Sequence, residues 1–481
     1  KELSIRKLAI DELLNEVTHG YSTTNPLINI AQQTTAFIIY TSGSTGNPKG
    51  VKITHEALAN YINWTKEAYI DKHAIEQPNI PLFTTVGFDI TANAVFLPLI
   101  CGGVIHVYQE DNTEVDLSIL DVIEDNTIDF IKLTPAHLNF LKGQDLSNSN
   151  IKVMAVTGDE FKTELGLYIF NAFKGKVKLY NEYGPSEATI GCIYHEFNPE
   201  KDKLSGVPIG LPIDNMQAYI LDKYLNPVPQ GVVGELYLGG LGLSSGYWDR
   251  QDLTDAKFIE NPFLTGSKIY RTEDLVRLNS QGILEFLGRT DFQVKINGHR
   301  IELGEIEANI LSYKTIKNCA VIVIENEEGL KSLAAYFSSP MPVDLKELRA
   351  FISQKLPRYM VPVQYKQLEN IPLSANGKID RKILKSINTV LVESTLEYVA
   401  PRNEIEQEIT DIWCAVFNKT KIGVHDHFIE LGGESLMAIQ ITTRINETFE
   451  LKTPLNKIFE LQTIANISAY LEEVITKILN E

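Results

Sequence analysis

The sequence predicts an α/β core running to about residue 290, then a smaller mixed unit, then an all-helical C-terminal region. Three observations predict this. Up to about residue 290, apolar strand-like runs such as Val153-Met154-Ala155-Val156, Val177-Lys178-Leu179-Tyr180 and Glu235-Leu236-Tyr237-Leu238 alternate with helical stretches. From Gly288 to about Lys385 the spacing tightens around the strand-like Cys319–Ile324 and a helix near Leu345–Leu356. Residues 386–401 then lose periodicity and end in Ala400-Pro401, which reads as a linker, and everything beyond it has helical spacing. The expected divisions are 1–290, 291–386, a linker at 387–401 and 402–481.

The first element in the chain is Ala36-Phe37-Ile38-Ile39-Tyr40, a candidate buried strand. A helix is expected downstream, with Leu58, Tyr61, Ile62 and Tyr69 recurring on one face. Between them lies Thr41-Ser42-Gly43-Ser44-Thr45-Gly46-Asn47-Pro48-Lys49-Gly50. Its glycines let the backbone turn N–H groups toward an anion, its hydroxyls add donors, and Lys49 adds a positive charge. This is not the Walker loop, because Pro48 stands where glycine should precede the lysine and Gly50 where Ser or Thr should meet magnesium. A flexible surface loop is the plain alternative. The order strand, small polar loop, helix favours phosphate handling. In the C-terminal region, Ile405, Ile409, Ile412, Trp413 and Val416 share one side of a helix at Glu404–Phe417. Further helices are expected near Leu436–Thr448, Leu455–Glu460 and Ile464–Leu479.

With 481 residues, 44% hydrophobic and 22% charged, the chain suits two to four soluble globular domains. Its net charge of −18 argues against nucleic acid as the main partner and requires local groups to attract an anionic ligand. No run approaches the length of a membrane span, and Lys1–Lys7 lack a signal peptide's apolar stretch, so no membrane partner and a cytoplasmic location are expected. Cys101, Cys192, Cys319 and Cys414 lie far apart and are expected as reduced, buried thiols. His425 and His427 lack companions for a zinc site.

Five stretches carry chemistry, and all but the hinge have a plain structural alternative. Asn181–Glu187 ends a strand, where ligands of open α/β sheets sit. There Tyr183 suits stacking on a base, and Glu187 suits a magnesium ion held mainly by phosphate oxygens. The alternative is a Gly-Pro turn with an exposed glutamate. Asp274, in Tyr270–Asp274, is an acceptor suited to a ribose diol, or else a solvated loop acid. Gly288-Arg289-Thr290-Asp291 suits a hinge. Leu373–Asp380 is a tight turn presenting Lys378, either an idle surface lysine or a transient electrophile on a mobile lid. Ser435, after Gly432-Gly433-Glu434, is an N-cap or a site that another enzyme modifies; no nucleophile elbow or nearby base accompanies it.

Taken in order, these stretches resemble the adenylation and carrier domains of a nonribosomal peptide synthetase. The matching segments are the 41–50 loop, Phe88-Asp89-Ile90-Thr91, the 181–187 turn, Gly234–Tyr237, Tyr270–Arg277, Gly288–Glu307, the 373–382 loop and Leu431–Leu436. The fused carrier separates this family from free-standing acyl-CoA synthetases. The resemblance implies an α/β adenylate-forming fold, with a large α/β core and a small mobile α+β subdomain, followed by an all-α four-helix carrier domain. It implies that an amino acid carboxylate attacks the α-phosphate of MgATP, and that a phosphopantetheine thiol then takes the aminoacyl group as a thioester. Carried over residue by residue, Lys378 and Lys49 are catalytic. Thr41, Ser42, Gly43, Ser44, Thr45, Gly46, Lys49, Tyr183, Asp274 and Arg289 hold ATP, with Tyr183 on adenine and Asp274 on the ribose. Glu187 supports Mg2+, Asp291 is the hinge, and Ser435 carries 4′-phosphopantetheine.

The side-chain pocket that the resemblance implies falls on Asp89, Ile90, Asn93, Lys132, Ala155, Thr157, Glu182, Ile190, Gly191 and Lys378, with Asp89 pairing with the substrate's α-ammonium. Lys132 and Glu182 are the informative members, since burying either charge is costly unless it is paired or bound by substrate. Facing one another, they suit the carbonyl and NH2 of an amide. The set is similar to the pattern associated with asparagine, and less closely to that for aspartate. Thr157, where that pattern has glycine, narrows the pocket, while Ala155 widens it. The plain alternative is that Lys132 and Glu182 simply neutralise each other beside an unrelated side chain. The implied partners are an amino acid, a phosphopantetheinyl transferase and neighbouring synthetase domains such as condensation or thioesterase.

Asn297 stands where the family commonly has arginine, which puts a phosphate or carrier contact there in doubt. The loop at 41–50 also comes early, because well over a hundred residues normally precede it in this family. The expectation is an adenylation domain lacking its N-terminal part. Two competing readings remain: a carrier and docking segment inactive without that part, and an enzyme like an acyl-CoA ligase.

Overall fold

Five strands form the sheet on which the site is built. Phe130–Leu133, Val153–Thr157 and Lys178–Tyr183 run parallel, and Ile193–Glu196 and Leu211–Pro212 continue the sheet antiparallel. The three parallel strands are almost wholly buried, as expected of strands covered on both faces. Their register sets Lys132 beside Ala155, and Thr157 beside Glu182. The strand expected at 177–180 thus runs on to Tyr183. The computed structural model describes residues 27–42, 48–108, 118–291, 293–296, 299–325, 331–373, 379–387, 398–417, 419–428, 431, 433, 435–451, 453, 454 and 456–480.

The segment around the polar loop differs from expectation. Thr35–Thr41 pairs antiparallel with a second strand, Lys49–Thr54, so the loop joins two strands of a hairpin and does not lead straight into a helix. Val51 and Ile53 are buried at alternate positions, a period of two too short to stand out ahead of the longer helical pattern. Nor is Thr35–Thr41 a buried strand: most of its residues are half-buried and Tyr40 is exposed. The helix His55–Thr65 begins where Thr54 Oγ1 accepts a hydrogen bond from the Ala57 N–H at 3.2 Å.

That helix continues through a π-helical turn at Lys66–Ile70 and a 3-10 turn at Asp71–His73. The π turn has a consequence for the site. At roughly 100° per residue, an unbroken α-helix would leave Tyr69 about 80° round from Tyr61. The extra residue absorbed by the π turn removes most of that offset and returns both rings to one face.

A second correction concerns residues 211–290. They form mainly an antiparallel sheet, with strands Met216–Leu221, Gly234–Gly240, Lys268–Leu278, Phe258–Glu260 and Leu284–Arg289, and one short helix at Gln251–Lys257. The turns explain this. Asp222 accepts from the N–H groups of Tyr224 and Asn226, and Asn279 from those of Gln281 and Ile283, closing tight hairpins where a helix would need a longer run.

Beyond it, the hairpin Gln293–Ile296/His299–Glu302 leads into a unit with its own core. There the strands Asn318–Glu325, Lys331–Ser338 and Gln364–Leu368 pack with the helices Leu303–Leu311 and Leu345–Ser353. Lys331–Asp159 at 2.8 Å and Lys162–Glu325 at 2.7 Å tie this unit to the core. The helices Glu404–Phe417, Ser435–Phe449, Asn456–Leu461 and Ile464–Asn480 surround Trp413 and Phe428, and Ser435–Phe449 also packs against the core helix Pro135–Phe140. Of the cysteines, Cys192 and Cys319 are buried, while Cys101 and Cys414 are only partly so, contrary to expectation. Among the described residues no helix is long and apolar enough to cross a membrane.

Candidate functional site

Two buried lysine–glutamate pairs flank one Gly-Pro turn at the carboxyl ends of the parallel strands. The first centres on Glu187, which has no exposed surface. Its Oε1 accepts from Lys49 Nζ at 3.0 Å and from the Tyr247 hydroxyl at 2.7 Å, and its Oε2 accepts from Arg300 at 2.7 Å. Burial alone would raise this carboxyl, but Arg300 and Lys49 hold it well below the usual range. Burial lowers Lys49, helped by the neighbouring Arg300. Lys49 comes from the hairpin, Glu187 from the turn and Arg300 from the strand His299–Glu302, so three separate elements meet here.

The second pair is Lys132 with Glu182. Tyr61 donates to Glu182 Oε1 or Asn93 Oδ1, both at 2.8 Å, and accepts from Lys132 at 2.6 Å. Tyr69 donates to Glu182 Oε2 at 2.9 Å. Gly191 lies so close that a Cβ there would fall 1.9 Å from Glu182 Oε1. Thr189 and Ile190, both β-branched, are held at φ 57° and 71°, a strained backbone beside the pocket. Ala155 and Thr157 are buried on the adjacent strand. Lys132 and Asn93 line a cavity together with Ile90, Phe83 and Phe130.

Asp89 opens the 3-10 turn ahead of the helix Ala92–Cys101 and accepts a hydrogen bond from Ser186. Burial raises its carboxyl, a tendency that the Ser186 bond opposes. A ligand ammonium at this point would relieve the same penalty.

A third cluster lies along the strand pair Lys268–Leu278/Leu284–Arg289, where Asp274 and Arg289 are register partners. Asp274 is bound by the Tyr183 hydroxyl and by Arg289. Arg289 also donates to Asp291 at 2.6 and 2.7 Å. Burial would raise Asp291, yet Arg289 keeps it lowered. Lys295 sits 5.7 Å from the centre of the Tyr183 ring, and burial lowers its ammonium.

Sequence reading misses several members. Tyr61 and Tyr69 register only as the apolar face of a helix, because spacing does not reveal where a hydroxyl points. Arg300 lies inside one of the matching stretches, but its reach to Glu187 depends on how two units meet. Nothing in the sequence marks Tyr247. His299 stacks on Tyr359 with ring centres 4.0 Å apart and meets Phe88 edge-on at 4.8 Å. Of the polar loop, Ser42 donates to the Arg300 carbonyl at 2.7 Å, and Thr41 Oγ1 is buried with no partner among the described residues. Gly43, Ser44, Thr45, Gly46, Asn297 and Lys378 lie outside the described residues. Ser435 is the first residue of its helix, and its side chain is likewise not described.

The sequence matches the AMP-binding enzyme family over residues 3–248, the AMP-binding enzyme C-terminal domain over 305–378 and the phosphopantetheine attachment site over 407–471. It is 42% identical to tyrocidine synthase 3 of Brevibacillus parabrevis over 437 residues, covering 91% of this chain and 7% of that protein. It is 39% identical to bacitracin synthase 3 of Bacillus licheniformis over 437 residues, again covering 91% of this chain and 7% of the relative. The chain therefore spans only a small part of the length of these curated relatives. The fold is similar to that of holo-PA1221, a synthetase protein with adenylation and PCP domains, at a TM-score of 0.75 and 24% identity over 95% of this chain and 76% of that one. The Vibrio cholerae adenylation domain AlmE, solved with glycyl-adenosine-5′-phosphate, gives a TM-score of 0.65 at 25% identity over 79% of this chain and 69% of its own.

Proposed function

The chain belongs to the AMP-binding enzymes, as the adenylation and carrier portion of a nonribosomal peptide synthetase, and from that premise we propose that it activates an amino acid with ATP and loads it onto its own carrier. A carboxylate oxygen of the amino acid attacks the α-phosphorus, the bond to the β-phosphate oxygen breaks, and pyrophosphate leaves. A thiol sulfur then attacks the acyl carbon, the acyl–oxygen bond breaks, AMP departs, and the thiol proton passes to solvent. The observation that carries this reading is the meeting of Asp89, Lys49 and Glu187 at the ends of the parallel strands, with the carrier helix Ser435–Phe449 packed against the same core.

The residues divide the work. Asp89 takes the α-ammonium, a role that fits a buried carboxyl with one hydroxyl donor. Lys49 and Lys378 meet the negative charge of the phosphates. Thr41 and Ser42, with Gly43, Ser44, Thr45 and Gly46, surround those phosphates, and Thr41 Oγ1, without a partner among the described residues, suits that role. Tyr183 faces adenine, Asp274 and Arg289 adjoin the ribose, and Asp291 is the hinge. Glu187 fits Mg2+ through Oε2, the oxygen that Arg300 already engages, so a cation there competes with the guanidinium for the carboxylate's charge. When bound, the ion would neutralise phosphate charge. Ser435 is the attachment point for phosphopantetheine, which supplies the thiol. A phosphopantetheinyl transferase and neighbouring synthetase domains are the expected partners.

The substrate we propose is asparagine, because Lys132 brings a charged donor to a pocket whose carboxylate is already neutralised. Exchange of labelled pyrophosphate into ATP, run across a panel of amino acids, tests both levels. Asparagine should give the fastest exchange. No exchange with any amino acid would overturn the activity, and exchange no faster with asparagine than with leucine would overturn the substrate.

A further inference from the structure

The proton count around Tyr61 contains more than a neutralised ion pair. Tyr61 has one hydroxyl proton and two oxygen neighbours at 2.8 Å, Glu182 Oε1 and Asn93 Oδ1. Two oxygens that close need a proton between them. Burial and the Glu182 charge both keep Tyr61 protonated. Only the Tyr61 proton can bridge the phenol to the Glu182 carboxylate, since the carboxylate paired with Lys132 has none to give. The contact with Asn93 must then be bridged from the other side, by an amide N–H. The oxygen and nitrogen of a carboxamide have nearly the same shape, and the hydrogen-bond network decides which faces which way. The opposite orientation would strand Nδ2, which is buried and has no acceptor among the described residues. With Nδ2 on Tyr61, Oδ1 takes that buried position, in a residue that lines the cavity.

We infer that Tyr61, on a helix outside the pocket's strands, is a specificity-determining positioning residue that turns the Asn93 carbonyl oxygen into the pocket and, with Lys132, sets it for a side chain ending in a primary carboxamide. This rests on the reading of the pocket as an amino acid site, and it changes which residue accepts. Glu182 is fully buried and engaged by Tyr61, Tyr69 and Lys132, and it lies outside the cavity lining that Asn93 and Lys132 share. The acceptor for the substrate NH2 is therefore Asn93 Oδ1. Lys132 uses two of its three protons on Tyr61 and Glu182, and the third meets the substrate carbonyl. An aspartate side chain would set a carboxylate oxygen against Asn93 Oδ1, with no proton between, and is rejected.

The test is pyrophosphate exchange with asparagine, aspartate and leucine, using the intact chain and its Tyr61→Phe and Asn93→Leu variants, with thermal melts to check folding. In Tyr61→Phe the Asn93 amide is free to turn its N–H groups to the ligand. The KM for asparagine should rise and that for aspartate fall, so that their kcat/KM ratio drops by about tenfold or more. A merely structural role would raise both KM values together. Asn93→Leu should lose the asparagine preference with no gain for aspartate, and it decides the matter if Tyr61→Phe does not fold. A folded Tyr61→Phe variant that keeps the ratio, or an Asn93→Leu variant that keeps the preference, overturns the inference while leaving the asparagine reading intact. Failure of the unaltered chain to prefer asparagine over leucine overturns the substrate reading itself.

Discussion

Glu182 and Glu187 stand on either side of one turn, both buried and both paired with a buried lysine, yet they are held in different ways. The partners of Glu182 are Lys132 on the neighbouring part of the sheet and two tyrosines of a single helix, all within the core. The partners of Glu187 come from a hairpin, from Tyr247 and from Arg300, beyond the proposed hinge. All three partners of the first carboxylate lie in one core, whereas Arg300, one partner of the second, comes from the hairpin beyond residue 291. Burial of charge ties one core together in the first case and joins separate elements in the second, where we propose that a ligand cation enters.

The largest expected effect comes from breaking the first pair. Glu182→Ala strands Lys132 and both tyrosine hydroxyls, at a cost of about 3–5 kcal/mol, seen as a lower urea midpoint for the core. Glu187→Gln should do the opposite: pyrophosphate exchange falls on the order of 100-fold, while the midpoint moves less, because the glutamine carbonyl oxygen can still accept from Lys49 and Tyr247. If Glu187→Gln proves the more destabilising of the two, the contrast is wrong. A smaller effect sharpens the idea of competition. Arg300→Ala frees Glu187 Oε2, so the Mg2+ concentration giving half-maximal exchange should fall about two- to fivefold; an unchanged Mg2+ dependence would mean the two do not compete.

A further effect depends on pH. Burial pushes His299 down to about 4, while the unfolded chain binds that proton near the ordinary value of about 6.5. Between those values the unfolded state holds more protons, so stability falls as pH drops from about 6.5 toward 4. Thermal melts of the wild type and His299→Phe over this window should show a shallower slope in the variant. Parallel slopes would remove His299 as the cause.

Much of this is legible in the sequence. The three-part organisation, the strands that end near Thr157 and Glu182, and the C-terminal helices follow from periodicity, whereas Lys132 enters only through the resemblance and its strand, Phe130–Leu133, is not anticipated. Mutual neutralisation of Lys132 and Glu182 is the plain reading of two buried opposite charges, and the structure has the two paired. What spacing does not reveal depends on three-dimensional detail. The hairpin strand Lys49–Thr54 is too short to compete with the helical pattern behind it. Spacing puts Tyr69 on the same broad face as Tyr61, but the π turn that brings the two into line is something no propensity rule anticipates. The reach of Arg300 to Glu187 is a property of how two units meet, and no local pattern encodes that.

Gly191 sets the order in which this pocket can be rebuilt. A methyl group there would collide with the Glu182 carboxylate, which three partners hold in place, so enlarging position 191 first leads to a chain that cannot close its core. Shortening Glu182 first removes the obstacle, but it leaves Lys132 in need of a new counter-charge. Any route from this specificity to another therefore has a direction, with position 182 and its lysine changing together before the glycine can.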